Sequence, residues 1–195
     1  MPDVVSREVR IVDVTAPALV LGSSQPAVEE RGIPLVRRRS GGGAVLVGPG
    51  EVVWVDVLLP AGDPLWEDDV ARAFHWLGRA WTGALDALGV DASWHRGAME
   101  CTQWCRHVCF AGIGAGEVTV EGKKVVGLSQ RRTRAGALFQ CAALLRWDPE
   151  RIVELLDLPA DAATELADLA VALPAPAAAI ESAVVEVIRS GATGV

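Results

Sequence analysis

Arg37, Arg38, Arg39, Ser40, Gly41, Gly42 and Gly43 follow one another without interruption, and Ala44 leads out of them into an apolar run. Glycine lets a backbone approach a ligand closely and adopt positive φ, so consecutive N–H groups can turn inward on an anion or a carbonyl. Arginine adds fork-shaped donors suited to phosphate or carboxylate. The plainer reading is a hairpin loop with a solvated basic edge. A second stretch carries a thiol and an amine: Cys109-Phe110, a glycine-rich bend over Gly112–Gly116, then Gly122-Lys123-Lys124-Val125-Val126-Gly127-Leu128-Ser129-Gln130. A thiolate is a nucleophile, although a free cysteine is more often a small buried hydrophobe. Lys124 stands between a turn and an apolar strand, which makes it a stronger candidate for a role than Lys123.

Cys101, Cys105 and Cys109 are spaced by four. In an extended segment Cys105, His107 and Cys109 share one face, a conceivable metal set. Structural zinc sites use four ligands in paired, turn-held spacings, and no such pair occurs here, so no metal is expected. Four cysteines in 195 residues do not form a disulfide framework either. Cys141 alternates with core positions and reads as packing.

The net charge is −7, which argues against a general nucleic-acid binder, since neutralising phosphates needs a basic face. Against that acidic background the arginine cluster suits one small anionic ligand. No apolar run has membrane-spanning length and the amino terminus lacks a leader pattern, so a cytoplasmic protein is expected.

The positioning elements follow from periodicity. Strands are predicted over Arg7–Val14, Ala18–Gly22, Pro34–Arg37, Val45–Val47 and Glu51–Leu59, with a turn at Gly48-Pro49-Gly50. Val70, Phe74, Leu77, Trp81, Leu85 and Leu88 recur at three and four residues, predicting one long helix from Asp63-Pro64 to Gly89. Strands return over Ala92–His95, Arg106–Phe110, Glu117–Glu121, Lys124–Arg131 and Ala137–Arg146, with a hairpin corner at Gly122. Three alanine- and leucine-rich helices close the chain, Pro149–Leu156, Asp161–Leu169 and Pro176–Ile188. Strands followed by helices indicate an α+β fold.

Taken together, Arg-Arg-x-Ser-Gly-Gly-Gly-Ala-Val at 37–45, Gly-Lys-Lys-Val-Val-Gly at 122–127 and Pro17–Gln25 resemble the lipoate–protein ligase A and octanoyltransferase family, related to biotin protein ligases. The resemblance runs over roughly residues 7–157, and two motifs in the right order are far more specific than either alone. It implies a mixed, mainly antiparallel sheet flanked by helices, with a catalytic domain over 1–157 and a helical extension over 158–195 packed on it. It also implies transfer of an octanoyl or lipoyl group to the lysine of a lipoyl domain.

The implied roles go residue by residue. Lys124 matches the lysine that contacts the acyl carbonyl. Arg38, Ser40, Gly41, Gly42, Gly43 and Ala44 match the loop that cradles acyl chain and phosphate, and Gly127, Leu128 and Ser129 join them in binding substrate. Cys109 is similar to the nucleophile of the cysteine-dependent transferases. Such an enzyme moves acyl from a thioester to an amine in two steps and needs no cofactor, with an acyl carrier protein as possible donor. The alternatives are a lipoate ligase using ATP and Mg, for which Cys109 is dispensable, and a non-catalytic acyl- or carrier-binding module. Val47, Glu51 and Gln140-Cys141 depart from the family pattern, which places histidine, an amide residue and His-Gly there. The residues after Asp157 are too few for the accessory domain of the larger ligases, which favours the transferase.

Overall fold

The structure, a computed structural model, describes residues 5–191; residues 1–4 and 192–195, the ends of the two expected domains, lie outside the described residues. Valine- and leucine-rich runs with period-two alternation build the main sheet. It is six-stranded, in the order β1 (Glu8–Val12), β5 (Val52–Pro60), β11 (Gly136–Leu144), β10 (Lys123–Thr133), β9 (Val118–Val120), β6 (Ser93–Trp94). Every neighbouring pair in it is antiparallel. A smaller sheet is mixed: β2 (Ala18–Leu21) runs parallel to β3 (Leu35–Arg37) and antiparallel to β4 (Val45–Val47). A two-stranded ladder joins β7 (Glu100–Cys101) to β8 (Gly112–Ile113). The fold is thus α+β with a mixed, mainly antiparallel strand set, as expected.

Alternation assigns the sheet's two faces. Val53, Val55, Val57, Phe139, Cys141 and Ala143 point to a core completed by α1 (His75–Asp86) and α4 (Ala177–Ser190). Trp76, Leu77, Trp81 and Leu85 of α1 are buried there; each such side chain contributes roughly 1.5–3 kcal/mol of transfer energy. The opposite face carries Trp54, Asp56, Gln140, Ala142 and Leu144 towards the smaller sheet and the glycine loop. Beyond that loop, α2 (Pro149–Leu156) and α3 (Ala162–Ala167) pack their apolar sides on Leu19, Leu21, Ala44 and Val108.

Two expected elements differ. The long helix begins at His75 after a single 3₁₀ turn at Arg72–Phe74, and Val70 is exposed rather than part of the apolar stripe. Asp63 is drawn away from a helix start: it pairs with Arg7 and its Oδ1 accepts from the Leu65 N–H, forming a local turn. The expected strand Arg106–Phe110 is instead a turn leading into a 3₁₀ helix at Cys109–Ala111. There the N–H groups of His107 and Val108 both fold back on the Trp104 carbonyl. Gly122 is the hairpin corner as predicted, with both Glu121 (φ 51°) and Gly122 (φ 78°) left-handed, as a tight two-residue turn requires.

Among the described residues no helix is long and apolar enough to cross a membrane. No group of three or more His, Cys, Asp or Glu among them could hold a metal ion. The cysteines carry one correction: Cys101 and Cys105 form a disulfide, with Cα atoms 5.5 Å apart, where no bridge was expected. In an extended chain, four residues span about 13 Å, beyond bridging reach. The turn in which the Cys105 N–H meets the Thr102 carbonyl removes that distance.

Candidate active site

The two motifs meet through the backbone. The Ala44 N–H donates to the His107 carbonyl (2.8 Å), and the Cys109 N–H donates to the Ala44 carbonyl (2.9 Å). This parallel bridge sets Ala44 against Val108 and seats the thiol beside the glycine loop. Gly43 makes it possible, because a Cβ there would lie 2.5 Å from the Val108 carbonyl carbon and 2.6 Å from the Cys109 nitrogen. Neither atom can yield without moving backbone. Gly43→Ala is therefore expected to break the bridge and destabilise the fold by about 1–3 kcal/mol, the range for forced overpacking. Thermal unfolding measures the loss, and the rate of Cys109 alkylation reports whether the thiol has moved.

Arg38 braces the loop from behind. Its guanidinium donates to the backbone carbonyls of Val20, Gly41 and Gly43, and it is buried. Burial lowers its pKa, with the charge of Cys109 acting in the opposite direction. Four of its five N–H donors hold backbone carbonyls and so shape the loop. Arg37 does similar work, donating to the Gly22 and Gln25 carbonyls. Among the described residues, the N–H groups of Gly41, Gly42 and Gly43 donate to no protein acceptor, which leaves them for the oxygens of a ligand.

Ser40 is 1% exposed and caps a polar row across the sheet. Strand pairing aligns Ser129 with Gln140 and Gln140 with Asp56. Ser40 Oγ lies 2.9 Å from Ser129 Oγ and donates to Gln140 Oε1 at 2.7 Å. Gln140 Nε2 in turn donates to Asp56 Oδ1, which also accepts from Trp54 Nε1. Gln140, a departure from the family pattern, thus fixes the loop's hydroxyl from below.

Lys124 is nearly sealed from water, at 3% exposure of its side chain. Its Nζ has three partners: Glu117 Oε2 at 2.6 Å, the Cys109 carbonyl at 2.7 Å and the Gly112 carbonyl at 3.0 Å. An ammonium has three donors, so this set uses all of them and fixes the side chain in place. Glu117 is held equally firmly, accepting from the Gly114 and Leu128 N–H groups. Glu117 is the main residue that sequence reading passed over. Its signal was present: one acidic residue just before β9 faces a lysine just after a tight turn. Only the hairpin geometry shows that the two side chains meet.

Gly127 ties lysine to thiol. A Cβ placed on it would lie 3.2 Å from Cys109 Sγ and 3.4 Å from Lys124 Cε, so both groups crowd one bare stretch of backbone. Cys109 is free and half-buried. It lines a cavity of about 490 Å³ together with Gly41–Gly43, Lys124, Glu117, Leu128 and Ser129. Val70, Phe74 and Met99 give that cavity apolar wall. The structure therefore brings Cys109, Lys124, Gly41, Gly42, Gly43, Leu128 and Ser129 to one chamber, while Arg38, Ser40 and Ala44 shape its loop without lining it.

Residues 7–188 match the model of the lipoyl protein ligase A/B catalytic domain. The chain belongs to this family. Its relatives in the lipoyl protein ligase A/B family include the octanoyltransferase LipM of Kyrpidia tusciae, 32% identical over 139 residues, covering 69% of this chain and 50% of that protein. LipM of Lysinibacillus sphaericus is 30% identical over 167 residues, covering 82% and 58%. The chain thus spans about half the length of the curated relatives it matches. Among solved structures, the bipartite lipoate protein ligase of Thermoplasma acidophilum, described with its E2 lipoyl domain, superposes with a TM-score of 0.74 at 19% identity, covering 94% of this chain and 70% of that one. A lipoate-protein ligase A bound with ATP gives 0.69 at 20% identity, covering 94% and 72%. These likenesses establish the fold.

Proposed function

We propose that the protein is an acyltransferase that moves an octanoyl or lipoyl group from a thioester donor, through Cys109, to the lysine of a lipoyl domain. The observation that carries this reading is the free Cys109 thiol sharing a chamber with the buried Lys124–Glu117 pair and the glycine loop. In the first half-reaction the Cys109 thiolate attacks the donor carbonyl, forming a new C–S bond. The tetrahedral intermediate collapses by breaking the donor C–S bond, and the departing thiolate takes up a proton. In the second, the neutral acceptor amine attacks the Cys109 thioester, the C–S bond breaks, an amide forms, and the amine's extra proton leaves to solvent. Lys124 and the free loop N–H groups supply positive potential where the oxyanion develops. For Lys124 to touch that oxygen directly, one of its bonds to a backbone carbonyl must be exchanged.

The relatives named octanoyltransferase support the transferred group. The acceptor is inferred from the archaeal ligase described with its lipoyl domain. An acyl carrier protein as donor and a cytoplasmic setting complete the proposal, and the thioester route itself consumes no ATP or Mg. We assign residues 1–157 as the catalytic unit and 158–195 as an extension integral to it. Two contacts support this assignment: Lys124 exchanges backbone hydrogen bonds with Leu169 and Val171, and Ile180, Val184 and Ile188 of α4 join the α1 core.

Intact-protein mass spectrometry tests the proposal after incubation with octanoyl carrier protein or with octanoate plus ATP. The expected result is a hydroxylamine-labile octanoyl adduct from the carrier alone, mapped to the Cys109 peptide and discharged by an added lipoyl domain. Labelling of the lipoyl domain only with ATP makes the protein a ligase. Binding without modification in either arm makes it a non-catalytic module.

A further inference from the structure

The disulfide lies in the wall of the reaction chamber. Cys105 lines the same cavity as Cys109 and Lys124. Cys101 lines a second cavity of about 340 Å³, which also reaches Lys124 and includes Phe110 and Gly112. The bridge therefore belongs to the partition between the two, together with the ladder that pairs Glu100 with Ile113 and Cys101 with Gly112. The partition is packed tightly, since a Cβ on Gly112 would sit 2.9 Å from Cys105 Cβ. It also connects to the 3₁₀ turn that carries the nucleophile. Thr102 Oγ1 donates to the Ala111 carbonyl, and the His107 carbonyl accepts the Ala44 N–H that seats Cys109. Cys101 is exposed while Cys105 is half-buried, so Cys101 is the more open end of the bridge to attack from solution. In a reducing compartment such bridges are transient and redox-responsive, not structural.

We propose that Cys101–Cys105 is a redox modification site, opened by a dithiol reductant, that controls the wall of the acyl chamber and the access of solvent to Cys109. A reductant thiolate attacks Cys101 Sγ; the Cys101–Cys105 S–S bond breaks and Cys105 leaves as a thiolate that takes a proton. The reductant's second thiol then attacks the mixed disulfide, releasing Cys101 as a thiol and leaving the reductant as its own disulfide, two electrons having passed to the protein. The bridged form is the closed, acyl-retaining state. In the reduced form the 101–105 loop is released from its covalent tie and the chamber opens. That consequence for acyl transfer rests on the function proposed above; access to the thiol does not.

The test uses the full chain, purified in air or reduced with dithiothreitol that is then removed under inert gas. Each form receives a short pulse of iodoacetamide and is mapped by peptide mass spectrometry. Cys141 is fully buried, and burial pushes its thiol up to about 12, so it stays silent. Cys109 is expected to alkylate severalfold faster in the reduced form, and at the fast rate under both conditions in Cys101→Ser/Cys105→Ser. A separate portion of each form that has received no iodoacetamide is loaded with the octanoyl thioester of a small thiol, and the reduced form is expected to lose its adduct to hydrolysis severalfold faster. Equal alkylation in both forms, or two free thiols at 101 and 105 in the air-purified protein, overturns the inference. If alkylation differs but neither form takes up acyl, the redox site stands and the transferase reading falls.

Discussion

Lys124→Ala is expected to cost both activity and stability, and the two losses have separable causes. The side chain neutralises Glu117, which is itself only 6% exposed. Removing one member of a buried pair leaves an uncompensated charge, worth about 3–5 kcal/mol. The carbonyls of Cys109 and Gly112 lose a donor at the same time, which loosens the 3₁₀ turn carrying the thiol. Acyl transfer should fall on the order of 10²–10³-fold, the size of losing a preorganised oxyanion donor. A double substitution distinguishes these effects. Lys124→Met with Glu117→Gln removes both charges, and the amide oxygen still accepts from the Gly114 or Leu128 N–H. That variant should recover much of the denaturation midpoint lost in Lys124→Ala and none of the transfer rate. Full transfer by Lys124→Ala, measured as octanoyl delivered to a lipoyl domain, would refute the proposed role of the lysine.

What sequence reading captured and what it missed divide along a physical line. The glycine loop and the Gly122 hairpin are local: backbone sterics at a few adjacent residues determine them, so residue types suffice. Family membership was legible for the same reason, because both motifs are short and contiguous. The segment from Cys101 to Cys109 was not. Alternation over Arg106–Phe110 suggests a strand, yet the backbone donors of Cys105, His107 and Val108 fold back on Thr102 and Trp104, and among the described residues the expected strand pairs only through the single bridge of Val108 to Ala44. Extended, the segment could not form the disulfide; turned, it places Cys105 and Cys109 on one chamber. The roles within the loop were also hidden. Arg38 looks like an anion ligand by type; at 7% exposure it also braces the loop, with four of its donors on the carbonyls of Val20, Gly41 and Gly43. A buried guanidinium must be paired or hydrogen-bonded, and here the nearest acceptors are the protein's own backbone. Gln140 shows the converse: a departure from the family pattern becomes intelligible once strand register aligns it between Ser129 and Asp56.

Cys109→Ser is the substitution that separates chemistry from architecture most cleanly. Oxygen replaces sulfur at a half-buried position whose backbone N–H, bonded to the Ala44 carbonyl, is untouched. Stability should therefore change by no more than about 0.5–1 kcal/mol, the scale of a change away from the sealed core. Reactivity should change far more. An alcohol is scarcely ionised at neutral pH, and among the described residues none of those lining the chamber is a histidine that could take its proton. A serine there lacks the adjacent base that activates serine nucleophiles elsewhere. Thioester loading should fall at least on the order of 10³-fold, comparable to removing the nucleophile of other covalent enzymes. The hydroxylamine-labile adduct should vanish from the mass spectrum while the unfolding curve stays in place. Wild-type transfer rates in this variant, with or without ATP, would remove Cys109 from the reaction. The chamber would then act as a cradle for an acyl group activated on phosphate, with Lys124 and the loop N–H groups as its working parts.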